Sequence, residues 1–145
     1  MRKRLVLLVI TLCSLAAPAF AFEEPTVAEI QASWAAEPAL TQTDIDTYLI
    51  IWPQLMDHAR EGLVKEDFRP VFRANGWSDI HGSYVLAKMN MALIIIDAPD
   101  MLDKLTKSMP RNAMPTPTEL ELVKQNYAKI MQIQENYIHN AGAMP

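Results

Sequence analysis

Three histidines come first, because imidazole titrates near neutral pH and is the commonest metal ligand. His58, His81 and His139 each lack a second histidine three or four residues away, so no helical turn presents a zinc pair. His58 falls off the apolar stripe of its helix and is expected in solvent. His81 falls in the first turn of one helix and His139 in the last turn of another, where a cation suits the dipole. No serine occupies a Gly-x-Ser-x-Gly turn, and no His-Glu-x-x-His is present. Asp97, Asp100 and Asp103 offer carboxylates to a cation but lack the alternating oxygens and central glycine of a calcium loop; helix capping accounts for them. The pairs Asp44 and Asp46, and Glu119 and Glu121, fall in first turns, where the helix dipole already favours acids. The sequence thus assigns no catalytic residue, no metal ligand and no cofactor, and a non-enzymatic protein is expected.

Methionine is the unusual count, at nine. Thioethers bind Cu(I) in oxidising compartments, which makes Met89, Met91, Met101, Met109 and Met114 the residues of an alternative copper-handling reading. On a helix, however, positions 89 and 91 point about 200° apart, and core filling explains buried methionine more simply. Lys65, Arg69 and Arg73 recur every fourth residue and would suit anionic head groups or an acidic partner. Glu61 and Glu66 counter them, and the reading adopted is a solvated face.

A second kind of chemistry is apolar recognition. Tyr48, Trp52 and Met56 lie on one helical stripe with Pro53 inside it. Proline removes a backbone hydrogen bond and crowds the carbonyl of Leu49, so a kink is expected there. Aromatic and methionine side chains supply adaptable contact area. Tyr48, Trp52, Pro53 and Met56 are therefore the candidate ligand or partner face, covered in part by the first or last helix.

The elements that must carry these residues all read as helix. Thr26-Val27-Ala28-Glu29 is a capping box for a short first helix with Val27, Ile30 and Trp34 on one face, stopped by Pro38. A second helix begins near Thr41 or Thr43, carries Ile45, Tyr48, Leu49, Trp52, Leu55, Met56 and Ala59 on one stripe, and ends at Gly62. A third spans about 67–75, with Phe68, Val71 and Phe72 inward. Asn75-Gly76-Trp77-Ser78 is a tight corner: glycine for the left-handed cap, tryptophan packing back, serine capping the next helix. The fourth helix, about 79–96, is apolar nearly all round and must be the core element. A fifth carries Met101, Leu102 and Leu105 inward. Residues 109–117 hold three prolines and read as a flexible linker. Thr116-Pro117-Thr118-Glu119 then opens the last helix, with Leu120, Val123, Tyr127, Ile130, Gln134 and Tyr137 on its stripe.

The N-terminus reads differently. Arg2, Lys3 and Arg4 precede an apolar run from Leu5 to Leu15, and Ala19-Phe20-Ala21 supplies small residues for a signal peptidase. A transmembrane anchor needs about 20 apolar residues, and Pro18 closes this run early. Leu12 stands where a lipoprotein would place a small residue before Cys13. Residues 1–21 are therefore expected to be a cleaved signal peptide and 22–145 a single periplasmic helical domain. Removing 21 of the 145 residues leaves 124; the formal charge moves from −4 to −7 because three basic residues leave with the signal. The only cysteine leaves too, so the mature domain has no disulfide or thiolate chemistry. Its acidity argues against nucleic acid, and no later segment is apolar for long enough to insert stably in a membrane.

The run from Leu40-Thr41-Gln42-Thr43-Asp44 through Trp52-Pro53, then Asn75-Gly76-Trp77-Ser78 and the apolar helix behind it, resembles a loose group of small exported bacterial helical proteins. Pro117 to Lys124 resembles the same pattern, and the likeness covers about residues 40–135. It implies a shared helical fold and carries over no activity or site residue. The expectation is an all-α fold: a compact bundle of five to six helices. Its role would be an interaction or apolar-ligand-binding module that meets an envelope protein, a small apolar ligand or its own copy.

Overall fold

The computed structural model describes residues 27–60 and 68–142 and is all-α, with no strand among the described residues. Its helices are α1 (Val27–Ser33), α2 (Gln42–Arg60), α3 (Arg69–Ala74), α4 (Asp79–Asp97), α5 (Leu102–Ser108) and α6 (Pro117–Gly142). Single 3-10 turns at Trp34–Ala36, Pro99–Met101 and Arg111–Ala113 join them. The expected signal peptide, the Thr26 cap, the Gly62 cap and Lys65 lie outside the described residues, as do the side chains of Val27 and Ile30.

Helix starts follow local hydrogen-bond chemistry. The Thr41 hydroxyl accepts from the Asp44 amide at 3.2 Å, and Asp44 Oδ2 accepts from the Thr41 amide at 2.9 Å. That reciprocal cap satisfies amides which the first turn of α2 would otherwise leave open. α2 continues through Pro53. At the α3–α4 corner Gly76 takes φ 81°, the left-handed region that costs glycine nothing. The Trp77 amide then donates back to Phe72 O at 3.0 Å, and Ser78 Oγ caps the His81 amide at 3.1 Å.

The core gathers α2, α3, α4 and α6. Ile45, Ile51 and Leu55 of α2, Val85, Met89 and Leu93 of α4, and Val123 and Ile130 of α6 are all buried in one cluster. α2 and α6 lie side by side and run the same way, because Gln42 pairs with Asn126 near one end and Asp57 with Tyr137 near the other. The amides of Gln42 and Asn126 bond reciprocally, at 3.1 and 2.9 Å. α4 is buried on most sides, as its composition demands.

One stretch departs from expectation. α5 buries none of its residues: Leu102 is exposed, and Met101 and Leu105 are only half-buried. Seven residues between two 3-10 turns give too short a helix to bury a full stripe. The proline-rich 109–117 stretch includes a 3-10 turn in which Ala113 is buried. Beside it, Asn112 Nδ2 donates to Gln31 O at 3.2 Å.

Candidate functional site

Two ionic clusters converge on the segment between α1 and α2. The first is built on Glu119, which sits in the first turn of α6 with 1% of its surface exposed. Its Oε2 accepts from the Thr116 amide at 2.7 Å, completing the expected capping box. The same atom accepts from Lys88 Nζ of α4 at 2.6 Å, while Oε1 accepts from the Leu40 amide at 3.0 Å. One carboxylate thus ties the start of α6 to α4 and to the chain entering α2. Burial alone would raise the Glu119 pKa, but the bonds from Lys88, Thr116 and Leu40 outweigh it and hold the group below its ordinary value. Lys88 also lies 5.2 Å from the centre of the Tyr84 ring. Burial pushes the Tyr84 phenol up.

The second cluster is built on His81, in the first turn of α4. Its Nδ1 lies 2.7 Å from Glu37 Oε2 and its Nε2 lies 2.9 Å from Asp44 Oδ1. A neutral imidazole has one N–H and one lone pair, so it cannot donate to two carboxylates. The geometry requires the imidazolium. Burial alone would lower the His81 pKa; the bonds to Glu37 and Asp44 reverse this and raise it. Burial likewise works against Asp44, and the Thr41 hydroxyl, the Thr41 amide and His81 together hold it below its ordinary value. Aromatic rings continue the cluster on both sides: Trp77 meets His81 edge-on at 5.5 Å, and Trp34 meets Tyr84 at 6.4 Å.

Chemically these groups are occupied by one another. A general base needs a nitrogen facing its substrate, and both His81 nitrogens face carboxylates. Among the described residues no group of three or more His, Cys, Asp or Glu side chains is placed to hold a metal ion. The clusters act as clasps between helices.

The candidate apolar face lies elsewhere. Tyr48, Trp52 and Met56 are buried in the core, with 0%, 5% and 6% of their surfaces exposed, and Pro53 is half-buried. Trp52 packs edge-on against Tyr137 of α6 at 5.5 Å, and Tyr137 donates its hydroxyl proton to Asp57 Oδ1 at 2.8 Å. The last helix therefore covers this face. His58 is half-buried, its ring 6.3 Å from Phe68, and His139 is exposed. Arg73 pairs with Asp79 at 2.5 Å in place of a free basic stripe. Met89 and Met91 are both buried.

Sequence reasoning assigned His81, Asp44 and Glu119 to helix termini and missed the clasps. One signal was present: a lysine inside an otherwise apolar helix must find a buried counter-charge. Lys88 met that description.

Fold and site together define a small all-α protein whose entry segment is tied down by two ionic clasps, one buried and one part-buried. No protein-family model, no curated protein and no solved structure matches the chain.

Proposed function

We propose that the protein is a non-enzymatic interaction module of the bacterial cell envelope, exported to the periplasm and working through an apolar surface. One observation carries this reading. α5 leaves Leu102 42% exposed and buries none of its residues. In the same stretch Met101, Leu105, Met109 and Met114 are only half-buried. Leucine and unbranched methionine form an adaptable contact surface, suited to an envelope protein, a small apolar ligand or a second copy. No described helix is long and apolar enough to cross a membrane.

The test combines two measurements. Anilinonaphthalene sulfonate is titrated into the protein and into Leu102→Glu, and sedimentation is followed over a wide concentration range. Saturable probe binding or self-association that Leu102→Glu abolishes supports the reading. Neither binding nor association in the unaltered protein sinks it. The export half is checked by mass spectrometry of periplasmic material, which should find Phe22 at the N-terminus; retained Cys13 overturns it.

The alternative, Cu(I) handling, draws on the same stretch, where Met101, Met109 and Met114 are only half-buried. Competition against a Cu(I) chelator separates the two readings, because an apolar contact surface withdraws no copper.

A further inference from the structure

Residues 34–44 are tied to the bundle by a series of polar bonds, beside the packing of Trp34 and Leu40 on the core. Trp34 Nε1 donates to Ser83 Oγ at 3.1 Å, Glu37 meets His81 at 2.7 Å, and the Leu40 amide donates to Glu119 at 3.0 Å. Asp44 then meets His81 on its other side at 2.9 Å. Only Leu40 is a fully buried apolar anchor within this stretch up to Thr43, and Trp34 is half-buried. The segment is a strap across the start of α4, and beneath it lie Tyr84 and the His81 ring.

We propose that this strap is a pH-sensitive clasp, closed by the imidazolium of His81 between Glu37 and Asp44 and loosened when His81 loses its proton. The inference is independent of what the protein binds. It stands on the two short contacts at opposite nitrogens. Removing one proton leaves a ring lone pair facing a carboxylate oxygen, which converts an attraction into a repulsion on one side. The side that loses its bond frees either Glu37 or Asp44, and with Glu37 goes the strap's ionic attachment to α4, leaving the Trp34–Ser83 bond to hold it there.

The charged surroundings leave His81 as the group that titrates near neutral pH. Glu37 of the strap and Asp44 of α2 face it directly. Within α4, Asp79 is engaged by Arg73 of α3, and Lys88 is engaged by Glu119 of α6. The Tyr84 phenol is pushed up by burial, away from neutral pH. A cation in the first turn of α4 opposes that helix's dipole, so the two carboxylates are what keep His81 charged. The raised His81 pKa agrees. The sign follows: closure is complete below the ordinary imidazole value of 6.5 and is lost as pH rises through the higher, clasped value.

Two readouts on the uniformly labelled chain test this. Imidazole nitrogen shifts, followed by NMR from about pH 5 to about pH 9.5, should show both His81 nitrogens still protonated above the ordinary imidazole value of 6.5. Hydrogen exchange at the Trp34 indole and the Leu40 amide, corrected for intrinsic base catalysis, should lose about tenfold protection per pH unit between 6.5 and the clasped value and level off above it. Protection at the Leu93 amide in the core should hold. In His81→Gln the strap should be about tenfold or more less protected at pH 6, and flat across the range. A neutral, single-tautomer His81 at pH 7 overturns the proposal. So does strap protection that ignores His81 titration, or a parallel fall at Leu93, which would mean that the whole bundle and not the strap responds. Should His81→Gln fail to fold, the two readouts on the unaltered chain still decide.

Discussion

Lys88 Nζ lies 2.6 Å from Glu119 Oε2, joining the middle of α4 to the first turn of α6 out of reach of solvent. Neither charge is tolerable alone in that setting, because removing one partner leaves the other desolvated and uncompensated.

Glu119→Gln should therefore cost about 3–5 kcal/mol in urea unfolding. Lys88→Met should cost a comparable amount. The double variant should cost less than the two together by more than about 1 kcal/mol, since each single change strands a charge that the other removes. Additive losses would mean that the pair is not coupled.

Acid should loosen the same clasps from the other direction. Asp44 and Glu119 are held below their ordinary values of 3.8 and 4.5. Their contribution is present above those values and is lost as pH falls through the depressed ones. His81 contributes fully below 6.5 and loses its share as pH rises beyond it. Stability measured by urea unfolding should therefore peak near about pH 5–6 and fall on both sides. Glu119→Gln should flatten the acid limb, and His81→Gln the alkaline one.

The backbone plan was legible because caps and corners are local. Thr41, Ser78 and Thr116 announce helix starts by chemistry that needs only three or four neighbouring residues. Gly76 with Trp77 announced the corner in the same way. The all-round apolar run of α4 announced the core. The clasps were not legible, because each joins residues 31 to 79 positions apart, and an acid in a first turn looks the same whether it serves the dipole alone or also grips a distant lysine. Leu102 failed for a related reason: an apolar stripe says which face would be buried, not whether anything is there to bury it.

Gly82 separates packing from helix propensity. A Cβ built on it would lie 2.4–2.7 Å from the Phe72 ring, far inside contact distance. Gly82→Ala gains about 1 kcal/mol of helix propensity and loses about 1–3 kcal/mol by forcing α3 from α4. The net change in urea unfolding should be destabilising. Stabilisation would mean that Phe72 is not seated against α4.

Trp52 reports whether the apolar face beside Pro53 is open or closed. With Trp34 and Trp77 replaced by Phe, Trp52 alone emits. Packed against Tyr137 and almost fully enclosed, it should emit in the blue and resist acrylamide. Truncating Tyr137 to Ala should shift the emission red and admit the quencher, because that ring is part of its cover. Strong quenching in the parent would place the face in solvent.

Gln134 points to a cost that the fold carries without local return. It lies on the apolar stripe of α6, 2% exposed, and its Nε2 donor has no hydrogen-bond partner among the described residues. A buried amide donor without an acceptor costs about 1–3 kcal/mol relative to a solvated one. Methionine matches glutamine closely in length, shape and helix propensity and carries no donor. Gln134→Met should therefore raise stability by about 1–2 kcal/mol in urea unfolding, with no change in the slope of the transition. Gln134→Ala gives the opposite sign, because it adds a cavity beside Ile130 that outweighs the relief. If Met destabilises as Ala does, the amide is bonded in solution and the interior of α6 is more polar than its packing indicates.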